Sequence, residues 1–370
     1  MCSGMIFKTN ATQLIRHAKV RYRILYSTDE YEIRVPPGDK KNNKGFLKIS
    51  LYHDSASHTG IQNTKPFILI NTIGWGTDED ALVEALGATT ADERMKIPIL
   101  FKDMFDGTDL KTLMKKECGK GDLGQALQYL ALSPVQAECA MIKKACSGMG
   151  TKEKLLYSIL CGRSNADMEL LKKTYYKMYT DDLVSKVSGE VGGILKKVLL
   201  GSLQAAEEEL DEEFHNEDKA IEDAESIFES GQGRFGTDES HLVKTIVMSP
   251  PKHLKQINLH YCDKYGYTLF KAVEKELGGD GEGALLYSLG IKLKPFETIA
   301  NFIKGACAGI GTDELLLSCT LVRYQKYLPH VCATHQILFD KSLQTRILDE
   351  CKGDYEKLLL AIVNKVSPEE

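Results

Sequence analysis

Four short stretches of this chain repeat one another. "GWGTDED" starts at Gly74, "GMGTKEK" at Gly148, "RFGTDES" at Arg234 and "GIGTDEL" at Gly309. The glycine before each threonine falls at Gly76, Gly150, Gly236 and Gly311, giving spacings of 74, 86 and 75 residues. Repetition on this scale constrains the architecture before composition is consulted. A period near 75 residues is longer than a two-helix solenoid unit, so each unit must hold several helices.

The first unit reads that way. Asp78–Leu86, Asp92–Phe105, Asp109–Glu117, Leu123–Leu130 and Pro134–Cys146 are helix-like, separated by the turn signals "GATT", "DGT", "GKGD" and "LSP". In the second unit Leu155, Leu156, Ile159 and Leu160 form a helical apolar stripe. Pro134 and Pro251 sit at first-turn positions. The expected fold is all-α, four units of five helices each. The units run 63–133, 134–203, 226–294 and 295–370.

Two segments lie outside the repeat. Residues 1–62 mix short β-like runs with the turn-rich "PPGDKKNNKG". Residues 204–225 form an acidic linker: from Glu207 to Glu225 there are eleven acids and one lysine. Such a run reads as a solvated linker or exposed helix that tolerates charge neutralisation.

With 43% hydrophobic residues over 370, the chain can bury a large core. A net charge of −5 gives no broad basic field, so nucleic acid is not an expected partner and anionic lipid is not bound unaided. The ten cysteines are scattered, without zinc-like spacing, and read as reduced thiols. "MCSGMIFKTN" lacks the apolar core of a signal peptide, and no run approaches a membrane span. The expectation is a cytoplasmic protein, peripheral on membranes, or one reaching the cell surface without a signal peptide. No nucleophile–base set is visible, so no enzyme is expected and no catalytic residue is assigned. "GQGRFG" fits a dinucleotide fingerprint, but "AIEDAESIFES" before it is an acidic helix rather than a strand.

Thr77, Thr151, Thr237 and Thr312 suit helix N-caps. Capping alone does not explain the glycines before them. Glycines let main-chain carbonyls approach a ligand, and carbonyl oxygens suit a hard cation such as Ca²⁺. A carboxylate should complete each site. Glu117 lies 41 residues after Gly76, Glu190 40 after Gly150, Glu276 40 after Gly236 and Glu350 39 after Gly311. Each stands just before a glycine turn.

Four G-x-G-T-type loops, each with an acid near the same offset, resemble the annexin family over residues 63–366. The resemblance implies a curved disc of four repeats and Ca²⁺ as cofactor. It implies metal ligands at Thr72, Gly74, Gly76 and Glu117; at Cys146, Gly148, Gly150 and Glu190; at Gly231, Arg234, Gly236 and Glu276; and at Cys307, Gly309, Gly311 and Glu350. The chain departs from the family pattern in places. Lys116 holds the strict 40-residue offset of the first unit, Lys152 follows the second threonine, and the first helix of unit one, "FILINT", is atypical. The function implied is reversible, Ca²⁺-bridged docking on anionic phospholipid membranes through the convex face. The alternative is a membrane-associated scaffold, with a protein partner or self-association through the N-terminal segment or linker.

Each loop also carries a bulky apolar tip: Trp75, Met149, Phe235 and Ile310. On a membrane-facing surface these are the expected lipid contacts, and aromatic rings suit the bilayer interface. Trp75 is the only tryptophan, so its fluorescence reports on one loop. Its emission should be red-shifted in buffer and blue-shift when liposomes and Ca²⁺ are both present. Blue-shifted, quencher-protected emission without either would place Trp75 in the core.

Overall fold

The computed structural model describes residues 23–27, 30–34, 48–52, 67–71, 79–104, 107–148, 150–231, 239–309 and 311–365. Four strands come first: β1 Arg23–Ser27, β2 Glu30–Arg34, β3 Lys48–Tyr52 and β4 Phe67–Asn71. They pair as two antiparallel ladders, β1 with β2 and β3 with β4. In the second ladder Lys48 stands opposite Asn71 and Tyr52 opposite Phe67. This corrects the reading of "FILINT" as the first helix of unit one. Five residues rich in aromatic and β-branched side chains favour a strand, and they are too few for a stable helix.

Nineteen α-helices follow among the described residues. They are α1 Glu79–Leu82, which continues as a π-helical turn over Val83–Gly87, α2 Ala91–Met104, α3 Leu110–Glu117 and α4 Asp122–Leu130. Next come α5 Pro134–Ala145, α6 Glu153–Leu160, α7 Asn165–Tyr179, α8 Leu183–Glu190 and α9 Gly193–Leu203. The third set is α10 Glu217–Ser230, α11 Glu239–Met248, α12 Pro251–Tyr265, α13 Leu269–Glu276 and α14 Gly279–Leu293. The last is α15 Pro295–Ala306, α16 Glu314–Arg323, α17 Leu328–Phe339, α18 Leu343–Glu350 and α19 Gly353–Asn364. Five helices thus recur three times. The first unit has four among the described residues, because Pro134–Ala145 leads into the second loop and opens the second set.

The chain forms two compact units. One spans Met1–Pro134, Leu321–Pro329 and Leu343–Glu370; the other spans Val135–Thr320 and His330–Ser342. In the first, Leu82, Leu86, Ile97, Phe101, Leu127, Leu358 and Ile362 are fully or almost fully buried. A Cβ at Gly87 would stand 2.9 Å from the Ala361 Cβ, so the absence of a side chain lets α19 close on the π-helical turn. Arg94 is fully buried in this core. Its guanidinium donates to the carbonyls of Val322 (3.2 Å) and Tyr129 (3.1 Å) and to Gln325 Oε1 (3.3 Å). A charge desolvated to this extent is tolerated because several oriented oxygens replace water.

In the second unit, Leu156, Ile159, Val198, Leu199, Ile246, Leu285 and Ile303 fill the core. Arg163 and Glu138 form an ion pair at 3.0 Å with both side chains nearly buried. Tyr157, Tyr287 and Phe302 make a ring cluster with centroids 4.9–6.0 Å apart. The nine cysteines among the described residues are free thiols.

The acidic stretch is more structured than its charge implies. Helix α10 runs through residue 225, where the sequence placed the end of the linker, because Ala220, Ala224 and Ile227 are buried along one face. Asn216 caps it, accepting from the Lys219 N–H at 3.0 Å. Upstream, Asn165 clamps the main chain of Glu207 from both sides, at 2.8 and 2.9 Å. The Glu207 carboxylate meets Lys292 Nζ at 2.7 Å, and the lysine side chain is only 4% exposed. Burial lowers the Lys292 pKa and Glu207 opposes that shift. The acids are therefore not interchangeable. Glu207→Gln should cost about 1–3 kcal/mol, because a buried ammonium loses its carboxylate. Exposed Glu209→Gln should stay within about 0.5 kcal/mol. Chemical denaturation of the two variants checks this, and equal, negligible losses would contradict it.

Candidate functional site

The second, third and fourth loops begin where a helix ends, and the last carbonyls of a helix lack partners within it. After α5, the Cys146 N–H still bonds to Ile142 O at 3.0 Å; the chain then leaves the helix through Ser147 and Gly148. The Lys152 N–H returns to Ala145 O at 3.0 Å and closes the loop. The fourth loop closes the same way, Asp313 N–H to Ala306 O at 2.8 Å. The loop glycines take backbone conformations that L side chains resist: φ is +105° at Gly148, +86° at Gly150, +106° at Gly309 and +91° at Gly311. No atom lies within 4 Å of where their Cβ would be, and all four are exposed. Cys146 and Cys307 are buried at the loop bases.

The expected acids share one local position. Each is the last residue of an eight-residue helix that starts with leucine: Glu117 on α3, Glu190 on α8, Glu276 on α13 and Glu350 on α18. The helix register makes Glu117, rather than Lys116, the counterpart of the other three. The offsets of 39 to 41 residues come from segments before this helix, not from within it.

In the second repeat the distant acid reaches the loop. Thr151 Oγ1 donates to the Glu190 carboxylate (Oε2, 3.1 Å) and lies 3.2 Å from its main-chain oxygen. Thr151 is therefore not an N-cap, contrary to the sequence expectation. Helix α6 starts at Glu153 with Lys152 in the cap position, which leaves the hydroxyl free to turn to Glu190. In the fourth repeat the cap is Asp313, whose Oδ1 accepts from the Leu316 N–H at 2.9 Å. Lys186 Nζ holds the other Glu190 oxygen at 2.5 Å, with both side chains about a quarter exposed. The Lys186 hydrogen bond is the main cause that lowers the Glu190 pKa, and Thr151 adds to it. Glu190 is thus held as a carboxylate. The same charge, after burial, helps push the Cys146 thiol up to about 11. Lys186 was legible as a partner from its i, i+4 spacing to Glu190; the sequence reading missed it.

In the third repeat the Glu276 carboxylate carbon lies 3.2 Å from where a Gly231 Cβ would stand, and Oε1 lies at 3.4 Å. The carboxylate thus rests against the bare main chain of Gly231. Arg234 and Gly236 lie outside the described residues, as do Thr72, Gly74 and Gly76 of the first loop, Thr77, Thr237 and the four tips Trp75, Met149, Phe235 and Ile310. Glu117 is described, with Lys116 Nζ 3.7 Å from its carboxylate. Cys307, Gly309 and Gly311 belong to the second compact unit, and Glu350 to the first.

Within the second unit, a cavity of about 270 Å³ is lined by Thr151, Lys152, Leu155, Asp280, Asp313 and Leu316. The second and fourth loops lead into helices that border this common space. Among the described residues no three His, Cys, Asp or Glu side chains converge as a metal site. No described helix is long and apolar enough to cross a membrane.

A model of the annexin family matches residues 137–201, 222–287 and 299–362, together just over half of the chain. These ranges fall on the second, third and fourth repeats. Annexin A13 of Schistosoma japonicum is 31% identical over 311 residues, covering 78% of this chain and 87% of that protein. The solved structure of annexin III superposes with a TM-score of 0.73 at 27% identity, covering 78% of this chain and 89% of that one. Calcium-bound annexin (Sm)1 shares the fold, with a TM-score of 0.67 at 24% identity over 78% of this chain and 86% of that one. Glycine loops closed by matching hydrogen bonds, acids at one helix position and these similarities lead to the same conclusion: the chain is a member of the annexin family.

Proposed function

We propose that this protein binds phospholipid membranes in a calcium-dependent manner, docking reversibly on anionic lipid through cations held in its glycine loops. One observation carries the reading: Thr151 of the second loop is hydrogen-bonded to Glu190, 39 residues away, so loop and acid meet. The contact of Glu276 with Gly231 supports the same arrangement in the third repeat.

The donor set fits Ca²⁺. In the second repeat the carbonyls of Cys146, Gly148 and Gly150 and the Glu190 carboxylate are all hard oxygens, as a hard cation requires. In the third, Gly231, Arg234, Gly236 and Glu276 would play these parts, and in the fourth the loop carbonyls of Cys307, Gly309 and Gly311 would donate. The first would use Thr72, Gly74, Gly76 and Glu117. A bound Ca²⁺ supplies positive charge and open coordination positions for lipid phosphate oxygens. The protein's task is to hold carbonyls and carboxylate ready, and it does so with glycines in left-handed backbone conformations and a threonine that orients the acid. Each site has one carboxylate, which places affinity without lipid near ~10⁻⁴–10⁻³ M. Several loops engaging one membrane add avidity. Trp75, Met149, Phe235 and Ile310 would then enter the lipid interface.

At a net charge of −5 the chain is repelled by acidic lipid, so the cation decides binding. Co-sedimentation with anionic liposomes should require Ca²⁺ and reverse on chelation. Glu190→Gln with Glu276→Gln should raise the Ca²⁺ needed more than either change alone. Equal sedimentation in Ca²⁺ and in chelator would refute the function. An unchanged Ca²⁺ requirement in the double variant would refute the carboxylate assignments.

A further inference from the structure

We propose that Lys186 is a built-in competitor for the second cation site: its ammonium occupies the Glu190 carboxylate, and a divalent cation must displace it to bind. The inference rests on the cation reading above and names a regulator within that site.

The geometry is direct. Glu190 has two carboxylate oxygens. Thr151 donates to one at 3.1 Å, and Lys186 takes the other at 2.5 Å. Thr151 can stay while a cation binds, because a hydroxyl can give or accept and carries no charge. Lys186 cannot share the oxygen it holds, since its positive charge would face a second one. Lys143 also acts on Glu190 from a distance, but it is engaged elsewhere: 3.7 Å from Asp181 and 5.3 Å from the centre of the Tyr179 ring. Lys196 is tied to Ser188 O at 2.8 Å. Among these three lysines, Lys186 alone is hydrogen-bonded to the proposed ligand.

Exchange at a carboxylate selects by charge. Replacing an ammonium with a monovalent ion exchanges like for like and gains little. A divalent ion doubles the charge at the same oxygen, and only this difference drives displacement. The i, i+4 tether keeps the competitor at high effective concentration. Lys186 thus raises the Ca²⁺ level at which the second loop fills and guards it against monovalent salt. The register extends the idea along the chain. The residue four before the acid is Arg346 in the fourth repeat, but uncharged Leu113 in the first and Ala272 in the third.

The test uses the full-length protein with Glu117, Glu276 and Glu350 changed to Gln, so that one site keeps its carboxylate. Ca²⁺ alone is titrated by calorimetry, and circular dichroism verifies the fold. A partly exposed i, i+4 pair of this kind is worth about two- to fivefold in an equilibrium constant. K186M, which keeps the apolar stem, should tighten Ca²⁺ binding by that factor; K186Q provides an independent neutral variant. K186R keeps the charge and should bind as the parent does. E190Q in the same background should abolish binding. If E190Q abolishes binding and neither neutral variant tightens it, Lys186 is no competitor and the site assignment stands. If E190Q changes nothing, the site assignment falls and the inference falls with it.

Discussion

A main-chain hydrogen bond that closes the loop is the constraint on which the geometry of the second and fourth loops depends. Lys152 N–H reaches back seven residues to Ala145 O, and Asp313 N–H does the same to Ala306 O. Closing so short a span right after a helix forces left-handed backbone at two positions in each loop. Glycine takes those positions at low cost, and any other residue would be strained. The following helix then starts at Glu153 or Glu314, downstream of the threonine. In the second repeat this delay releases Thr151 from capping and lets it orient Glu190. Loop geometry, helix start and acid placement are thus parts of one device.

Much of this was legible in the sequence because the device is local and repeated. Four loops at a period near 75 residues gave the all-α repeat architecture, and counting forward gave the acids. What failed was decided by context. "FILIN" sits where a first helix was expected, but its pairing with Lys48–Tyr52 depends on a segment outside the repeat. Thr151 has the chemistry of a cap, and only its meeting with a residue 39 positions on assigns it another role. The ragged offsets of the acids were resolved by helix register, which residue counting does not give. The tips Trp75, Met149, Phe235 and Ile310 lie outside the described residues, so their part rests on the sequence alone.

The acidic stretch shows how charge counts mislead. Eleven acids in one run suggest mutual repulsion and a solvated linker or exposed helix, with the acids interchangeable. Yet a helix needs one apolar stripe, and Ala220, Ala224 and Ile227 provide it. Cations from elsewhere in the sequence answer the acids: Lys292 meets Glu207, Lys252 meets Glu212 and Lys264 meets Glu225. Most of these pairs are exposed and contribute little. Lys292 is the exception because it is buried, and burial decides which pairs matter.

The account stands on loop and distant acid forming one cation site. A crystal structure of the full-length protein grown with Ca²⁺ tests this most directly. It should show an ion at about 2.3–2.6 Å from the carbonyl oxygens of Cys146, Gly148 and Gly150 and from the Glu190 carboxylate, with Lys186 moved away. Saturating Ca²⁺ with no ion in that loop, and Lys186 still bonded to Glu190, would contradict it.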